Sequence, residues 1–296
     1  VVVLDGGFAT ELERRGHDLS DDLWSARLLR DDPREVVATH LAFFRAGAQV
    51  ATTASYQASF EGFAARGLDR PAATELMTSS VALAREAAAA AEAADGAKRW
   101  VAASVGPYGA VRADGSEYTG DYGVSDRVLR SFHQPRLEVL AAAGADLLAV
   151  ETIPSEQEAA VLLELLAEVD GPPAWLSVTC TDRSRLRSGE DARRVFALAG
   201  DVDQVVAVGV NCTAPEHVHD LVATAVSASG KPAVAYPNSG EAWDASRRTW
   251  GGTGPGVEAT TAREWVRAGA RYVGGCCRVS SDDIGRLAAA LTTGPW

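Results

Sequence analysis

DRVLRSFHQPRLEVLAAAGADLLAVETIPSEQEAAVLLELLAEVDGPPAWLSVT, residues 126–179, carries the pattern that decides the fold. An amphipathic helical stretch over 126–143 stops at Gly144, and an apolar run over 146–151 follows almost at once, ending on Glu151-Thr152. A second helical stretch over 155–169 opens on Ser155 with Glu158 three residues on, the spacing of a capping box, and a second apolar run follows over 174–179. Both apolar runs are built mainly from Val, Ala and Leu without the polar alternation of a half-exposed sheet, which is how strands buried on both faces read.

The same unit extends in both directions. Strands are expected over 1–5, 49–54, 100–105, 146–151, 174–179, 204–210, 232–236 and 271–274, and helices over 34–46, 71–94, 126–143, 155–169, 190–199, 215–228, 260–268 and 280–291. Eight strand–helix pairs in strict order predict an α/β fold of the (β/α)8 barrel type, a TIM barrel, rather than an open doubly wound sheet. No GxGxxG follows a strand; the Gly-rich segment 251–256 sits inside a long loop. The αβ links are short and the βα links 55–70, 106–125, 180–189 and 237–259 are long. In such a barrel the βα loops form the active-site face, so the chain has placed its extra residues there. With no linker and no longer internal repeat, residues 1–296 read as a single domain.

Composition narrows the function. Hydrophobic residues make up 47% and charged residues 23%, as in a globular protein, and the net charge of −12 argues against nucleic acid as a partner. No apolar run approaches a membrane span and no leader-like segment is seen, so no membrane partner is expected. The chain opens on Val1, already inside an apolar run, so a few residues are expected to precede it. Four cysteines are too few for a disulfide scaffold, which favours a reducing, cytoplasmic setting.

Three of those cysteines stand at strand ends: Cys212 after the sixth strand, Cys276 and Cys277 after the eighth. Alternate strands of a barrel share an interior layer, so Cys212 is expected to meet the vicinal pair over the barrel mouth. A Cys276–Cys277 disulfide is a poor alternative, because adjacent α-carbons lie about 3.8 Å apart, below the usual disulfide range. Three thiolates with no fourth protein ligand describe a zinc (Zn2+) site with an open position. All-sulfur ligation donates charge to the metal and suits holding a substrate thiol as a thiolate better than it suits activating water. Asp5 and Glu151, carboxylates at the same mouth, read as a clamp for the ammonium of an amino acid, and Gly6 and Gly7 as positions where backbone N–H groups approach its carboxylate. The histidines offer no rival site: His217 and His219 do not share a helical face, and His17, His40 and His133 read as isolated surface or capping residues.

The segments Asp5-Gly6-Gly7 with Ala9-Thr10-Glu11-Leu12, Leu23-Trp24-Ser25-Ala26, Thr53-Ala54-Ser55-Tyr56-Gln57 and Ala113-Asp114-Gly115-Ser116-Glu117-Tyr118 resemble the zinc-dependent homocysteine S-methyltransferases. So do Glu151-Thr152-Ile153-Pro154, Gly209-Val210-Asn211-Cys212-Thr213, Tyr236-Pro237-Asn238-Ser239-Gly240-Glu241 and Gly274-Gly275-Cys276-Cys277-Arg278. The resemblance spans essentially the whole chain, and is nearest to members using S-methylmethionine. It implies a TIM barrel with zinc on Cys212, Cys276 and Cys277, L-homocysteine as acceptor and methionine as product. It also implies Asp5 and Glu151 as partners of the homocysteine amino group, and with Gly6, Gly7 and Asn211 these make up the expected homocysteine-binding set.

A sulfonium methyl donor suits such chemistry, since its leaving group is a neutral thioether and needs no acid. Aromatic faces attract a cationic donor, and Trp24 and Tyr56, after the first two strands, are the candidates. Members that use betaine tend to carry Tyr just after the strand-four glutamate; here that residue is Thr152, which disfavours betaine. S-adenosylmethionine stays open as a donor, and a monomer or small homo-oligomer is expected. Three other readings remain: the same barrel with another donor, a metal-dependent lyase or hydrolase, and a non-catalytic zinc- or redox-sensing protein.

Overall fold

Strand β4, the run at the centre of the decisive stretch, extends over Leu147–Ile153 in the computed structural model, which describes residues 1–17, 28–112, 115–116, 119–244, 249–251, 254 and 256–292. Its neighbours follow chain order: β1 (Val2–Val3), β2 (Val50–Thr52), β3 (Trp100–Val105), β4, β5 (Ala174–Val178), β6 (Val205–Asn211) and β7 (Ala233–Tyr236). A two-stranded antiparallel hairpin, β8 (Ala242–Asp244) with β9 (Thr249–Gly251), interrupts the series before β10 (Ala270–Val273) pairs between β7 and β1. All seven strand pairs of the main sheet are parallel, and a parallel bridge from Leu4 to Val50 joins its two ends. The fold is the expected (β/α)8 barrel.

The two-residue alternation along each strand builds two separate cores. Leu4, Val50, Ala102, Ala149, Trp175, Ala207, Val234 and Tyr236 form one buried cluster, the barrel interior. Their neighbours in sequence, among them Val101, Ala103, Leu148, Val150, Leu176, Val208 and Ala235, belong to a larger cluster shared with the surrounding helices. Trp175 is fully buried inside because the residues paired with it, Ala149 on β4 and Ala207 on β6, are small.

Every predicted helix is present to within a residue or two at each end, from Pro33–Arg45 to Ser281–Thr292. Short helices that hydrophobic periodicity did not reveal also occur, including Phe8–Arg14 and, inside two of the long βα links, Phe60–Ala64 and Tyr108–Arg112. The capping-box reading holds only by half. Ser155 Oγ accepts from Glu158 N at 3.3 Å, but the Glu158 carboxylate is buried and accepts instead from Tyr108 N at 2.5 Å and Tyr122 Oη at 2.9 Å, and it bonds His133 Nε2 at 2.8 Å. His133 and His40 were expected at the surface or at caps; both are fully buried, because each lies on the inner face of its helix. No described helix is long and apolar enough to cross a membrane.

Candidate active site

The strand ends converge as the barrel geometry requires. Beyond β1, Asp5 N donates to Val50 O at 3.1 Å; beyond β6, Cys212 N donates to Tyr236 O at 3.3 Å; beyond β10, Gly275 N donates to Asp5 O at 3.0 Å and Cys276 N to Pro237 O at 2.7 Å. These bonds tie the chain after β10 to the ends of β1 and β7, and so bring Cys276 and Cys277 over the mouth beside Cys212. The three sulfurs lie within 4.8 Å of one another and form the one group of metal-ligating type found among the described residues. The donor set therefore fits a metal ion that prefers thiolates.

The sulfurs are not equivalent. Cys212 and Cys276 are joined as a disulfide in this structure, while Cys277 Sγ lies 3.6 Å from Cys212 Sγ and 4.0 Å from Cys276 Sγ. The bond differs from the sequence expectation of three thiolates, and it is not the vicinal pairing that chain geometry disfavours. It spans β6 to β10, whose ends approach across β7 with α-carbons 5.6 Å apart. Cys180, the fourth cysteine, is buried apart from the group, and burial pushes its thiol up to about 12.

A cleft partly open to solvent runs from these sulfurs to Asp5 and Glu151. Asp5 is fixed by Thr52, whose N–H donates to Oδ2 at 2.7 Å and whose hydroxyl donates to Oδ1 at 3.0 Å. Glu151 accepts from Ser104 Oγ through one oxygen, and its other oxygen lies 3.1 Å from Tyr236 Oη. Burial raises both acids, Asp5 to about 8 and Glu151 to about 7, against the lowering effect of the bonds donated by Thr52 and Ser104. Among the described residues lining the cleft there is no Lys, Arg or His. Two buried acids without a protein cation are suited to a ligand that brings its own positive charge.

Gly6 and Gly7 line the cleft, and both are required by packing. A β-carbon on Gly6 would lie 2.5 Å from Val279 O, and one on Gly7 would lie 2.6 Å from Cys276 O. The N–H of Gly7 donates to Val279 O at 2.8 Å, so the substrate-carboxylate contact expected of it has no donor left to make it. Asn211 is fully buried with its amide engaged by Thr152, accepting from Thr152 N at 2.7 Å and donating to Thr152 Oγ1 at 2.7 Å, with Nδ2 3.9 Å from Cys276 Sγ. Tyr56 lines the cleft; Trp24 lies outside the described residues, as do parts of the 23–26 and 113–118 segments.

Sequence reasoning missed Tyr236, Ser104, Ser177, and the Phe8, Ala9 and Thr10 turn, of which all but the two serines line the cleft. Tyr236 had a signal: it follows Val234 by two residues, so it points into the barrel as Val234 does. Ala9 and Thr10 stood in a segment that carries the family resemblance, but hydrophobic periodicity gave no sign of the helix that holds residues 8–10, because seven residues are too few to show it.

Comparison with known proteins gives a consistent picture. A family model described as homocysteine S-methyltransferase matches residues 2–291. The homocysteine S-methyltransferase of Escherichia coli (strain K12) is 47% identical, covering 98% of this chain and 94% of its own. YbgG of Bacillus subtilis (strain 168), also a homocysteine S-methyltransferase, is 42% identical with the same coverage. The crystal structure of the E. coli homocysteine methyltransferase MmuM superimposes in its metallated form with a TM-score of 0.88 at 45% identity, covering 98% of this chain and 96% of that one. Its oxidized form gives the same score and identity, covering 98% and 95%. Barrel, three-cysteine mouth and full-length likeness converge, and the chain belongs to the homocysteine S-methyltransferase family.

Proposed function

We propose that the protein transfers a methyl group from a sulfonium compound, S-methylmethionine first, to the sulfur of L-homocysteine, giving methionine, and that the metal held by Cys212, Cys276 and Cys277 is zinc. The observation that carries this reading is the juxtaposition in one cleft of a three-sulfur group and two buried carboxylates with no lining cation among the described residues. When bound, zinc supplies a Lewis acid that keeps a thiol deprotonated near neutral pH.

The chain's own residues bind and orient. Asp5 and Glu151, each fixed by hydroxyl or amide donors, accept the acceptor's ammonium and so aim its side chain along the cleft toward the cysteines. Tyr56 offers an aromatic face to the cationic donor. In the transfer the homocysteine thiolate forms an S–CH3 bond as the donor's sulfonium C–S bond breaks. The bonding pair stays on the donor sulfur, which leaves as a neutral thioether. No proton moves in that step, which agrees with a cleft whose only described acids are already engaged in binding. Thr152, lining the cleft where the family resemblance associates betaine use with Tyr, supports a sulfonium over betaine.

The test is methionine formation by reduced, zinc-loaded protein from L-homocysteine with S-methylmethionine, S-adenosylmethionine and betaine offered separately. Turnover is expected with S-methylmethionine and not with betaine, and Cys212→Ser and Cys276→Ser are expected to be inactive. Betaine as the best donor would overturn the donor assignment. Unchanged turnover in either serine variant would overturn the role of the cysteines.

A further inference from the structure

Behind Glu151 runs a polar chain whose protons can be counted. Glu151 Oε2 lies 3.1 Å from Tyr236 Oη, Tyr236 Oη lies 2.6 Å from Ser177 Oγ, and Ser177 Oγ lies 2.8 Å from Asn211 Oδ1. The far end fixes the direction. The Asn211 amide is oriented by Thr152, which donates from N to Oδ1 and accepts from Nδ2 at Oγ1, so the atom facing Ser177 is a carbonyl oxygen and can only accept. Ser177 therefore donates to Asn211, and its 2.6 Å contact with Tyr236 is filled only when Tyr236 donates to Ser177 in place of the bond it can otherwise donate to Glu151 Oε2. Trp175 Nε1 donates to Tyr236 Oη at 3.0 Å, which uses an acceptor site on the phenol and adds no proton to the chain. Both hydroxyl protons are then committed. An ionised Oε2 would face the lone pairs of Tyr236 in a buried site, whereas a proton on Oε2 completes the third link. Ser104 already donates to the other carboxyl oxygen, Oε1.

We propose that Glu151 carries a proton in the ligand-free protein, held there by Ser177 acting through Tyr236, and that binding of an α-amino acid in the cleft releases it. This rests on reading the cleft as an amino-acid site. On binding, the Oε2–H bond breaks and its proton leaves to solvent. The Tyr236 hydroxyl turns from Ser177 to Oε2, and the ligand's ammonium keeps its three protons. Ser177 and Tyr236 are positioning residues. Burial acts in the same direction, raising the pKa of Glu151 to about 7. The titratable groups facing it are Asp5 from the end of β1 and Tyr236 from β7, with the cysteine sulfurs of the β6 and β10 ends across the cleft.

The probe is L-methionine, which has the same ammonium and carboxylate as homocysteine and no thiol to ionise. Calorimetric titration of reduced, equally zinc-loaded wild-type and Ser177→Ala proteins, in buffers of different ionisation enthalpy, counts the protons exchanged. Ser177→Ala leaves Tyr236 only Glu151 to donate to, which favours the ionised carboxylate. Near pH 6 the wild type is expected to release up to about one proton more per methionine than the variant, the excess fading as pH rises through about 7. Asp5 is coupled by charge to Glu151, so the same comparison in the Asp5→Asn background removes any release from Asp5. Equal proton counts with methionine affinity retained would overturn the proposal. Failure of the wild type to bind methionine would instead overturn the amino-acid reading beneath it. An infrared difference spectrum of wild type and Asp5→Asn on methionine binding gives a second readout that does not depend on Ser177→Ala folding. A carboxylic-acid band lost in both is expected, and no such loss would overturn the proposal.

Discussion

Asp5 and Glu151 are the residues on which the chemistry of the cleft turns, and their burial has a measurable cost. Each has a folded-state pKa above its ordinary value, Asp5 about 8 against 3.8 and Glu151 about 7 against 4.5. The neutral forms therefore favour the fold: their stabilising contribution is complete below the ordinary values and is lost as pH rises through 7 and 8. Melting of the reduced, metal-free protein should accordingly shift to lower temperature between pH 5 and 8, and Asp5→Asn should flatten that decline. A variant as pH-sensitive as the wild type would show that Asp5 is not the source. The same carboxylates carry ligand affinity. Glu151→Gln removes a charged hydrogen-bond partner worth about 1.5–3 kcal/mol, which predicts a homocysteine KM roughly 10- to 150-fold higher in steady-state assays. These acids and the three cysteines were legible because each closes an apolar run, and a strand end in a barrel is a known place. Asn211 was legible in place but not in orientation. Its amide is engaged by Thr152, a β-branched residue held at φ +61°, a conformation no sequence pattern announces.

At the scale of elements, the helix Asp126–Ala142 does more than cover β3 and β4. Its Arg136 is fully buried and donates to Gly106 O at 2.9 Å, Tyr56 O at 3.0 Å and Ser55 O at 3.3 Å, linking the loops that follow β2 and β3. Gly106 sits so close to Tyr56 that a β-carbon there would lie 2.5 Å from the Tyr56 carbonyl oxygen. Glu158, on the next helix, fastens the same region through Tyr108, Tyr122 and His133. The link that carries Tyr56 into the cleft wall is thus held from behind by a buried charge that also fastens it to the link after β3. Arg136→Met leaves three buried carbonyl groups without this donor and Glu158 without its nearby cation, and is expected to destabilise the protein by about 3–5 kcal/mol in urea denaturation. Arg136→Lys, a single ammonium in place of a fork, should recover only part of this. A loss under 1 kcal/mol in the methionine variant would show that the loops are held by other contacts. The helices themselves were legible from their 3.6-residue period. Buried Arg136, His133 and Glu158 were not, since a polar residue on an inner face looks like a break in the pattern until its partners from other elements are known.

For the whole molecule, closure of the barrel is what turns three distant cysteines into one group. Cys212 and Cys276 are separated by 64 residues in sequence, and β7 lies between their strands, yet they meet because every strand end is drawn to the same ring. A thiol group assembled this way has two exclusive uses: a sulfur in the Cys212–Cys276 bond is not a thiolate ligand, so oxidation and metal loading compete for the same atoms. The bond also closes a long loop in the unfolded chain, which by loop entropy alone is worth about 4 kcal/mol. Oxidised protein should therefore melt higher than reduced, metal-free protein while taking up essentially no zinc. Reduction should restore uptake of about one equivalent and raise the melting temperature again once the metal is bound. Thiol titration of the unfolded chain supplies the control. Of the four cysteines the oxidised form retains two thiols, Cys180 and Cys277, whereas the reduced form has all four. Zinc bound stoichiometrically by protein that still titrates with only two thiols would mean that the metal sits elsewhere, and the assignment of Cys212 and Cys276 as ligands would fall.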